Sequence, residues 1–197
     1  MQTPALTLVC IAKYKPEQFR QMMDTAEQWI DQAIVVLDEG AEDGIEGYKE
    51  GFAKYIKRPL NADFAGQRNF AVECARPGWI LHIDTDENLT PELWAALKIL
   101  VLCDCDIVEL PRRNTVLLRN GTVQDWVNWP DWQPKLHRTC VRWIHRVHEW
   151  PDTTGLKVVR LGPNRSVCMT HTKTEEDQQR ANAFYDTFEY HRKLVAS

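Results

Sequence analysis

The sequence predicts an α/β fold in which helices flank a mixed, mostly parallel central sheet. Near-continuous apolar runs of strand length recur through the first half of the chain, and they alternate with segments whose apolar residues follow helical spacing. Strands that are apolar throughout are typical of a parallel sheet covered on both faces. With 197 residues, 44% of them hydrophobic, the chain is long enough to bury a core of its own. We therefore expect one domain over residues 1–197.

The first half of the chain, residues 1–105, is expected to alternate regularly between strands and helices. One helix start is marked by Thr90, a capping residue, and by Pro91, which suits the first helical turn. The expected order is strand 5–12, helix 16–32, strand 33–37, helix 44–53, an extended piece at 55–56, helix 64–75, strand 79–83 and helix 91–102. Strand-helix-strand units of this kind build parallel sheets.

The second half, residues 106–197, is less regular. Short strands are expected at 106–110, 115–118, 135–141, 147–150 and 158–161, with a hairpin turn at Asn120-Gly121. Thr174 and Asp177 then begin an amphipathic C-terminal helix that is expected to reach about Leu194 and to close the domain. Its apolar stripe consists of Ala181, Phe184, Tyr185 and Phe188.

Charge and aromatic residues are unevenly distributed. The net charge of -4 argues against a protein that coats nucleic acid through bulk charge. Residues 110–148 nevertheless carry seven Lys and Arg against Asp125 and Asp131. The same region holds most of a tryptophan cluster, which consists of Trp126, Trp129, Trp132, Trp143 and Trp150. Such rings stack on sugars or on unpaired bases, although we expect about two or three of the five to serve the core.

The cysteines and the hydropathy pattern indicate a cytoplasmic protein. The six cysteines form no Cys-x-x-Cys pair and follow no secretory segment, so we interpret them as reduced thiols. No apolar run approaches the roughly 20 residues that span a bilayer, so no transmembrane segment is expected.

Candidate ligand-binding residues stand at three predicted strand ends, because open parallel sheets bind ligands at the carboxyl ends of their strands. The first end carries Ala12, the second Asp38, and the third Asp84 and Asp86. Two carboxylates one residue apart offer hard oxygen ligands suited to Mg²⁺ or Mn²⁺, ions that also hold substrate phosphates. The alternative is a solvated acidic turn.

Seven sequence blocks, taken in order, resemble those of family-2 glycosyltransferases with the GT-A fold. They are residues 7–14, residues 34–44, DFAGQRN at 63–69, WILHIDTDE at 79–87, PKLHR at 134–138, VHE at 147–149 and MTH at 169–171. The pattern is similar in particular to a small bacterial subgroup related to lipopolysaccharide-core glucosyltransferases, in which an Asp-Phe-x-x-Gln-Arg-Asn stretch precedes the Asp-x-Asp strand. The resemblance implies a nucleotide-sugar-binding half at 1–105 and an acceptor-side half at 106–197.

The resemblance also implies the residues that bind the nucleotide-diphosphate sugar. Asp38 matches a nucleoside contact and Ala12 stands in the neighbouring loop, while Arg68 matches a position near the base or the pyrophosphate. Asp84 matches a residue that holds the sugar. Arg138 matches an arginine that is either a diphosphate contact or a cover for the acidic edge around Asp38.

For metal binding and catalysis, the resemblance implies a further set. Asp84, Asp86 and His171 match metal ligands, with Mn²⁺ or Mg²⁺ as the implied ion. Glu149 matches the candidate catalytic carboxylate, with His148 beside it. The residues themselves leave structural roles open, in which His148 is a hydrogen-bonded histidine and Glu149 pairs with a nearby arginine, either 142 or 146.

Together these features predict a metal-dependent glycosyltransferase that moves a sugar from a nucleotide-diphosphate donor, with a UDP-sugar favoured, to an acceptor hydroxyl with inversion. The acceptor stays open between a saccharide, a lipid-linked glycan and a modified DNA base, as in viral DNA glycosylation. A homo-oligomer whose second subunit completes the acceptor site is also open. The alternative function is a catalytically silent nucleotide- or nucleic-acid-binding module on the same fold.

Overall fold

A single mixed sheet organises the structure, a computed structural model that describes residues 4–126, 129–180 and 183. The elements in chain order are β1 (Leu6–Ala12), α1 (Pro16–Ala26), β2 (Gln32–Leu37), β3 (Ala53–Lys57), α2 (Phe64–Glu73), β4 (Trp79–His82), β5 (Glu87–Leu89), α3 (Pro91–Leu100), β6 (Ile107–Leu117), β7 (Val123–Asp125), β8 (Asp131–Arg138), β9 (Trp143–Ile144), β10 (Trp150–Pro151), β11 (Val158–Arg160) and β12 (Met169–Thr174). Within the described residues, ten of these strands belong to the main sheet. Strands β9 and β10 form a separate two-stranded ribbon.

The first four strands of the main sheet are parallel, in the order β3-β2-β1-β4. Successive side chains of a strand face opposite sides, and both sides of these strands are buried. Leu8 and Cys10 of β1 join the larger core under α1 and α3, whereas Val9 joins a smaller core under α2. The apolar runs in the sequence therefore reflect a sheet covered on both faces, which confirms the predicted fold class.

The remaining strands add the antiparallel part of the sheet. Strand β8 pairs antiparallel with both β4 and β6, and β12 pairs parallel with β6 and antiparallel with β5. Strand β6 is long enough to pair with β8 and β7 along one edge and with β11 and β12 along the other. This arrangement brings β5, β8 and β12 beside the carboxyl end of β4, where polar residues of both halves meet.

Three expectations for secondary structure were wrong, each for a local reason. Residues 44–53 form turns rather than a helix, because the glycines at 44, 47 and 51 all have positive φ. Strand β6 continues through Pro111, close to a register shift between Val108 and Leu110 where the ladder is irregular and a missing N–H is tolerated. Residues 147–150 do not form one strand, because His148 adopts a left-handed backbone at φ 56°.

The predicted helix starts agree better with the structure. Thr90 caps α3 by accepting a hydrogen bond from the backbone N–H of Leu93, and Pro91 occupies the first turn. Thr174 and Asp177 cap the helical segment at 175–180 through reciprocal hydrogen bonds. The stripe expected further along this helix (Ala181, Phe184, Tyr185 and Phe188) lies outside the described residues. No helix in the described part of the chain has the length and hydropathy needed to cross a membrane.

Candidate active site

A cavity of about 450 Å³ opens at the carboxyl end of β4 and contains most of the site residues expected from the sequence. Both halves of the chain contribute side chains to its wall. Those that matter for the chemistry are Arg68, Asp84, Asp86, Lys135, Glu149 and His171. The blocks around residues 68, 84–86, 149 and 171 are distant in sequence, so the fold brings them together as the resemblance implied.

Helix α2 begins with a tight capping turn that fixes the direction of its side chains. Asp63 caps the helix by accepting a hydrogen bond from the backbone N–H of Gly66 at 2.9 Å. A Cβ atom at residue 66 would lie 2.3 Å from an Asp63 carboxylate oxygen, so the close cap requires glycine there. These two positions explain the first part of the DFAGQRN block. Of the rest, Arg68 points into the site, whereas Gln67 binds Arg58 and Asn69 binds the backbone of Trp143.

The β9–β10 ribbon is attached to α2 by hydrogen bonds from a side chain and from the backbone of the helix. Asn69 of α2 donates to the carbonyl of Trp143 and accepts from its N–H, both at 2.8 Å. The backbone N–H of Phe64 donates to the carbonyl of Arg146 at 2.8 Å. The ribbon carries Glu149 just before β10, so α2 holds one wall of the cavity in place.

Arg68 connects the two walls of the cavity. Its Nε donates to Oε1 of Glu149 at 2.9 Å, and its Nη2 lies 3.3 Å from Asp84. The side chain is only 6% exposed, with its guanidinium over the ring of Trp143. Burial opposes its charge, but Asp84 and Glu149 outweigh burial and raise the pKa of Arg68. The partner of Glu149 is therefore Arg68 rather than an arginine nearby in sequence.

Asp84 is also bound by a lysine that the sequence did not single out as a site residue. Nζ of Lys135 lies 2.7 Å from Asp84 and 2.9 Å from Glu87, and the lysine side chain is 4% exposed. Burial alone would raise the pKa of Asp84, but Arg68 and Lys135 hold it well below its usual value. Asp84 is consequently an ionised carboxylate between two fixed cations.

Asp86 faces His171 across a short gap. Nε2 of His171 lies 3.4 Å from Oδ2 of Asp86, and Nδ1 is 2.7 Å from Oδ1 of Asn114. Nδ2 of Asn114 donates to Asp131, so its Oδ1 must accept the proton of Nδ1. Asn114 therefore fixes the imidazole with Nε2 directed at Asp86. The hydrogen bond and charge of His171, helped by Lys15, overcome burial and lower the pKa of Asp86 to about 2.

Glu149 and His148 stand on the loop that joins β9 to β10. His145 and His148 both have positive φ, at 68° and 56°, a conformation that L-residues with side chains rarely adopt. The Glu149 side chain is 15% exposed, and both Glu149 and His148 line the main cavity. Strained backbone of this kind persists where the surrounding contacts hold it, and it concentrates at functional sites.

Asp38 lies in a separate cleft of about 700 Å³ between the loops after β2 and β3. It binds Nζ of Lys13 and the backbone N–H of Leu60, both at 2.8 Å. Burial opposes ionisation, but these contacts lower the pKa of Asp38. Ala12 is fully buried, and its carbonyl accepts the N–H of Asp38. This cleft is larger than the main cavity, but Asp84, Asp86 and Glu149 do not line it.

Arg138 does not join the other site residues. Its guanidinium lies 4.2 Å from the ring centre of Trp79 and reaches the carbonyls of Cys103 and Cys105 at 3.4 Å. It is not among the residues that line the main cavity or the Asp38 cleft. The structure therefore brings together six of the nine expected site residues at the main cavity (Arg68, Asp84, Asp86, His148, Glu149 and His171). Asp38 lies in the other cleft, where the backbone of Ala12 is hydrogen-bonded to it, and Arg138 lies apart from both.

The chain belongs to glycosyl transferase family 2. The model of this family matches residues 16–139, which is more than half of the chain and includes the Asp-x-Asp strand and the PKLHR block. The protein is thus a member of a glycosyltransferase family, as the sequence blocks indicated.

Curated relatives match over shorter segments. A TPR repeat-containing protein of Synechococcus elongatus is 30% identical over 94 residues, which is 47% of this chain and 23% of the relative. An uncharacterized glycosyltransferase of Rickettsia felis is 31% identical over 83 residues, or 42% of this chain and 29% of the relative. The chain therefore matches less than a third of the length of either relative.

Solved structures confirm the GT-A fold. Residues 1–349 of Staphylococcus aureus TarS, in complex with UDP-GlcNAc, align with a TM-score of 0.59 and 14% identity, over 87% of this chain and 59% of that one. HddC from Yersinia pseudotuberculosis aligns with a TM-score of 0.56 and 10% identity, over 92% of this chain and 99% of that one.

Proposed function

We propose that the protein transfers a sugar from a nucleoside diphosphate donor to an acceptor hydroxyl, with inversion and with the help of Mn²⁺ or Mg²⁺. One observation carries the proposal. Arg68 binds Asp84 on one wall of the main cavity and Glu149 on the other, so a donor-side carboxylate and a candidate base share one enclosed space. Family membership supports the reaction class.

The charges around the cavity suit a nucleotide-diphosphate sugar. The cavity is lined by four cations and four carboxylates, so the proposed divalent ion would supply the positive excess that a diphosphate needs. These side chains are Arg68, Arg112, Lys135, Lys173, Asp84, Asp86, Glu87 and Glu149. Carboxylate partners keep Arg68, Arg112 and Lys135 in fixed positions. We assign the nucleoside to the Asp38 cleft, and the UDP-GlcNAc bound to TarS supports a uridine-linked donor.

Asp86 and His171 fit a divalent cation. When the only ring proton of His171 is on Nδ1, Nε2 is an acceptor 3.4 Å from a carboxylate oxygen of Asp86, and a cation bound to both atoms would replace the hydrogen bond that the protonated ring donates to Asp86. Within the described residues, no three His, Cys, Asp or Glu side chains are grouped as a complete metal site. Two protein ligands suffice for Mg²⁺ or Mn²⁺ when substrate phosphates and water fill the other positions. The bound ion would neutralise charge on the leaving diphosphate.

Glu149 is the proposed general base. In an inverting transfer, a carboxylate accepts the proton of the acceptor hydroxyl while that oxygen attacks the anomeric carbon and the C–O bond to the diphosphate breaks. Both contacts of Arg68 are made to Oε1 of Glu149, so Oε2 is the oxygen available to take the proton. Asp84 and Asp86 would hold the donor on the opposite side.

The acceptor is proposed to be a saccharide, free or lipid-linked, with a modified DNA base as the competing class. The VHE and PKLHR blocks support membership in the subgroup related to the lipopolysaccharide-core glucosyltransferases. Aromatic side chains at the cavity rim suit either class, because both sugars and bases present flat faces for stacking.

Thermal-shift measurements with nucleotides test the proposal, because a ligand that binds the native state raises Tm. We expect UDP or a UDP-sugar to raise Tm more in the presence of Mn²⁺ than in its absence. In a separate assay, we expect a radiolabelled sugar to be released slowly from the UDP-sugar, either by hydrolysis or by transfer to an acceptor. Nucleotide binding without any turnover would favour a silent binding module. Binding to DNA with no response to any nucleotide sugar would reject the glycosyltransferase proposal.

A further inference from the structure

The β9–β10 ribbon presents an apolar face to solvent beside the candidate base. Its register places Trp150 opposite Ile144, and Pro151 opposite Trp143. The inner pair is buried, with Trp143 5% exposed, whereas Trp150 and Ile144 are each 41% exposed. Residues directly opposite each other in an antiparallel pair lie side by side on one face. The outer pair therefore forms a small continuous apolar surface.

This surface adjoins the site where chemistry is proposed. Trp150 directly follows Glu149 in the chain and, like Glu149, lines the main cavity. The ribbon is held to α2 through Asn69, so the tryptophan occupies a fixed position relative to the base. A molecule that presents a hydroxyl to Glu149 is therefore within reach of Trp150.

The other tryptophans of this half are less suited to an acceptor. Arg160 lies over Trp132 at 4.9 Å and Arg165 lies over Trp129 at 5.3 Å, so each ring already has a partner on one face. Trp126 is 48% exposed but lines a separate cavity of about 220 Å³ rather than the main one. Trp150 is thus the exposed tryptophan that lines the main cavity.

The charge around this half favours a neutral acceptor. Residues 110–148 are rich in arginine, yet these side chains already have partners within the fold. Four contact carboxylates (Arg112, Arg113, Arg119 and Arg142), and two donate to backbone carbonyls (Arg138 and Arg146). A nucleic-acid surface needs basic side chains that are available to phosphates, so pairing of this kind disfavours a DNA acceptor.

We propose that Trp150 and Ile144 form an acceptor platform on which the apolar face of a neutral pyranose ring stacks, with one ring hydroxyl directed at Glu149. The inference rests on the proposed function for the role of Glu149, and it adds the class of acceptor and the residues that bind it. Stacking on tryptophan holds the sugar by its C–H face, while the hydroxyl groups at the ring edge stay free to reach the base.

Saturation-transfer difference NMR tests the platform with simple probes, namely the methyl pyranosides of glucose, galactose, mannose and N-acetylglucosamine. We expect at least one to bind the wild-type protein and Trp150→Phe, and to bind Trp150→Ala at least about tenfold more weakly. Trp132→Ala is the matched control, because it removes a half-buried tryptophan of the same half that lies outside the main cavity. It should leave pyranoside binding unchanged.

Several results would overturn the platform. They are binding of none of the pyranosides, equal binding to wild type and Trp150→Ala, or equal loss in Trp132→Ala. Binding of a short oligothymidylate that is lost in Trp150→Ala would reassign the surface to nucleic acid. The same variants are tested for their UDP and Mn²⁺ thermal shift. If that shift is normal while pyranosides fail, only the platform is wrong, whereas a missing shift in the wild type would count against the proposed donor function itself.

Discussion

Nε of Arg68 and its Nη2 both contact a single oxygen of Glu149, at 2.9 and 2.8 Å, although the two residues lie 81 positions apart. The same guanidinium reaches Asp84, so one buried cation fixes two carboxylates on opposite walls. An arginine fork suits this task because its donors diverge in a rigid plane. The position and the charge of the candidate base, Glu149, therefore depend on the same arginine as those of Asp84 in the donor site.

Replacement of Glu149 separates catalysis from binding. In Glu149→Gln the amide oxygen still accepts from Arg68, but it cannot take a proton. We expect UDP binding to stay near normal while transfer or hydrolysis falls by about 100-fold or more. Calorimetry and radiometric turnover measure the two effects.

The matched control is Glu73→Gln, since Glu73 is an exposed carboxylate that pairs with Arg142. Its turnover should be that of the wild type. Full activity in Glu149→Gln would move the base elsewhere, and His148 would be next because it lines the cavity. Asp152, which caps a turn at Thr154, does not line it.

Replacement of Asp86 tests the cation site. Asp86→Ala removes one of the two acceptors that face each other, so the Mn²⁺-dependent part of UDP binding should disappear. Asp104→Ala, at a fully exposed carboxylate bound to Lys157, should have no effect. Calorimetric titrations with and without Mn²⁺ measure the difference, and unchanged Mn²⁺ dependence in Asp86→Ala would refute the ligand role.

Lys135 is expected to matter for stability as well as for the site. Lys135→Met leaves Asp84 with Arg68 and the buried Glu87 with Arg112 but removes their shared cation, so the loss should approach but not exceed the roughly 3–5 kcal/mol of a fully broken buried ion pair. Lys135→Arg keeps the charge and should recover much of that loss. Urea unfolding of the three proteins gives the comparison, and a Lys135→Met variant as stable as wild type would contradict it.

Two buried histidines predict a loss of stability in mild acid. Burial lowers the pKa of His137 to about 4, and burial with the charge of Arg68 lowers the pKa of His82 well below its usual value. The unfolded chain binds protons at these histidines near pH 6.5, whereas the folded chain does not, so stability falls as pH drops from about 7 towards 4. Each histidine contributes up to about 1.4 kcal/mol per pH unit.

The variant His137→Phe isolates one of these contributions. It loses the hydrogen bond that His137 accepts from Trp143, so it should be less stable at neutral pH. Its stability should nevertheless fall less steeply as the pH is lowered, because the variant takes up about one proton fewer on unfolding. Urea unfolding between pH 7 and pH 5 measures the slopes, and identical slopes would show that His137 does not titrate in this way.

The sequence predicted much of the donor half of the fold, because its signals are local. Apolar runs set the parallel strands, and Asp84 and Asp86 follow β4 directly, so their place at the sheet edge was foreseeable. Lys135 was missed because its role depends on pairing. Strand β8 lies antiparallel to β4 with Leu136 opposite Leu81, and only this register brings Lys135 to Asp84.

The tryptophans show the same limit. About two or three of the five were expected in the core, but only Trp143 is buried, and Trp126 and Trp150 are exposed. Hydrophobicity alone cannot distinguish the inner from the outer face of a ribbon whose strands have two residues each. Similarly, the structural alternative for Glu149 named arginine 142 or 146 as its partner, since nearness in sequence was the only guide, whereas the partner is Arg68.

The attachment of the ribbon to α2 gives the small core behind that helix an influence on the reaction. Asp84 belongs to the sheet, whereas Arg68 and the wall that carries Glu149 belong with α2. Ala71, fully buried, and Val72 pack α2 against the sheet. We therefore expect a larger side chain at Ala71 to push α2 away from the sheet and to change the separation of Asp84 and Glu149 without touching either.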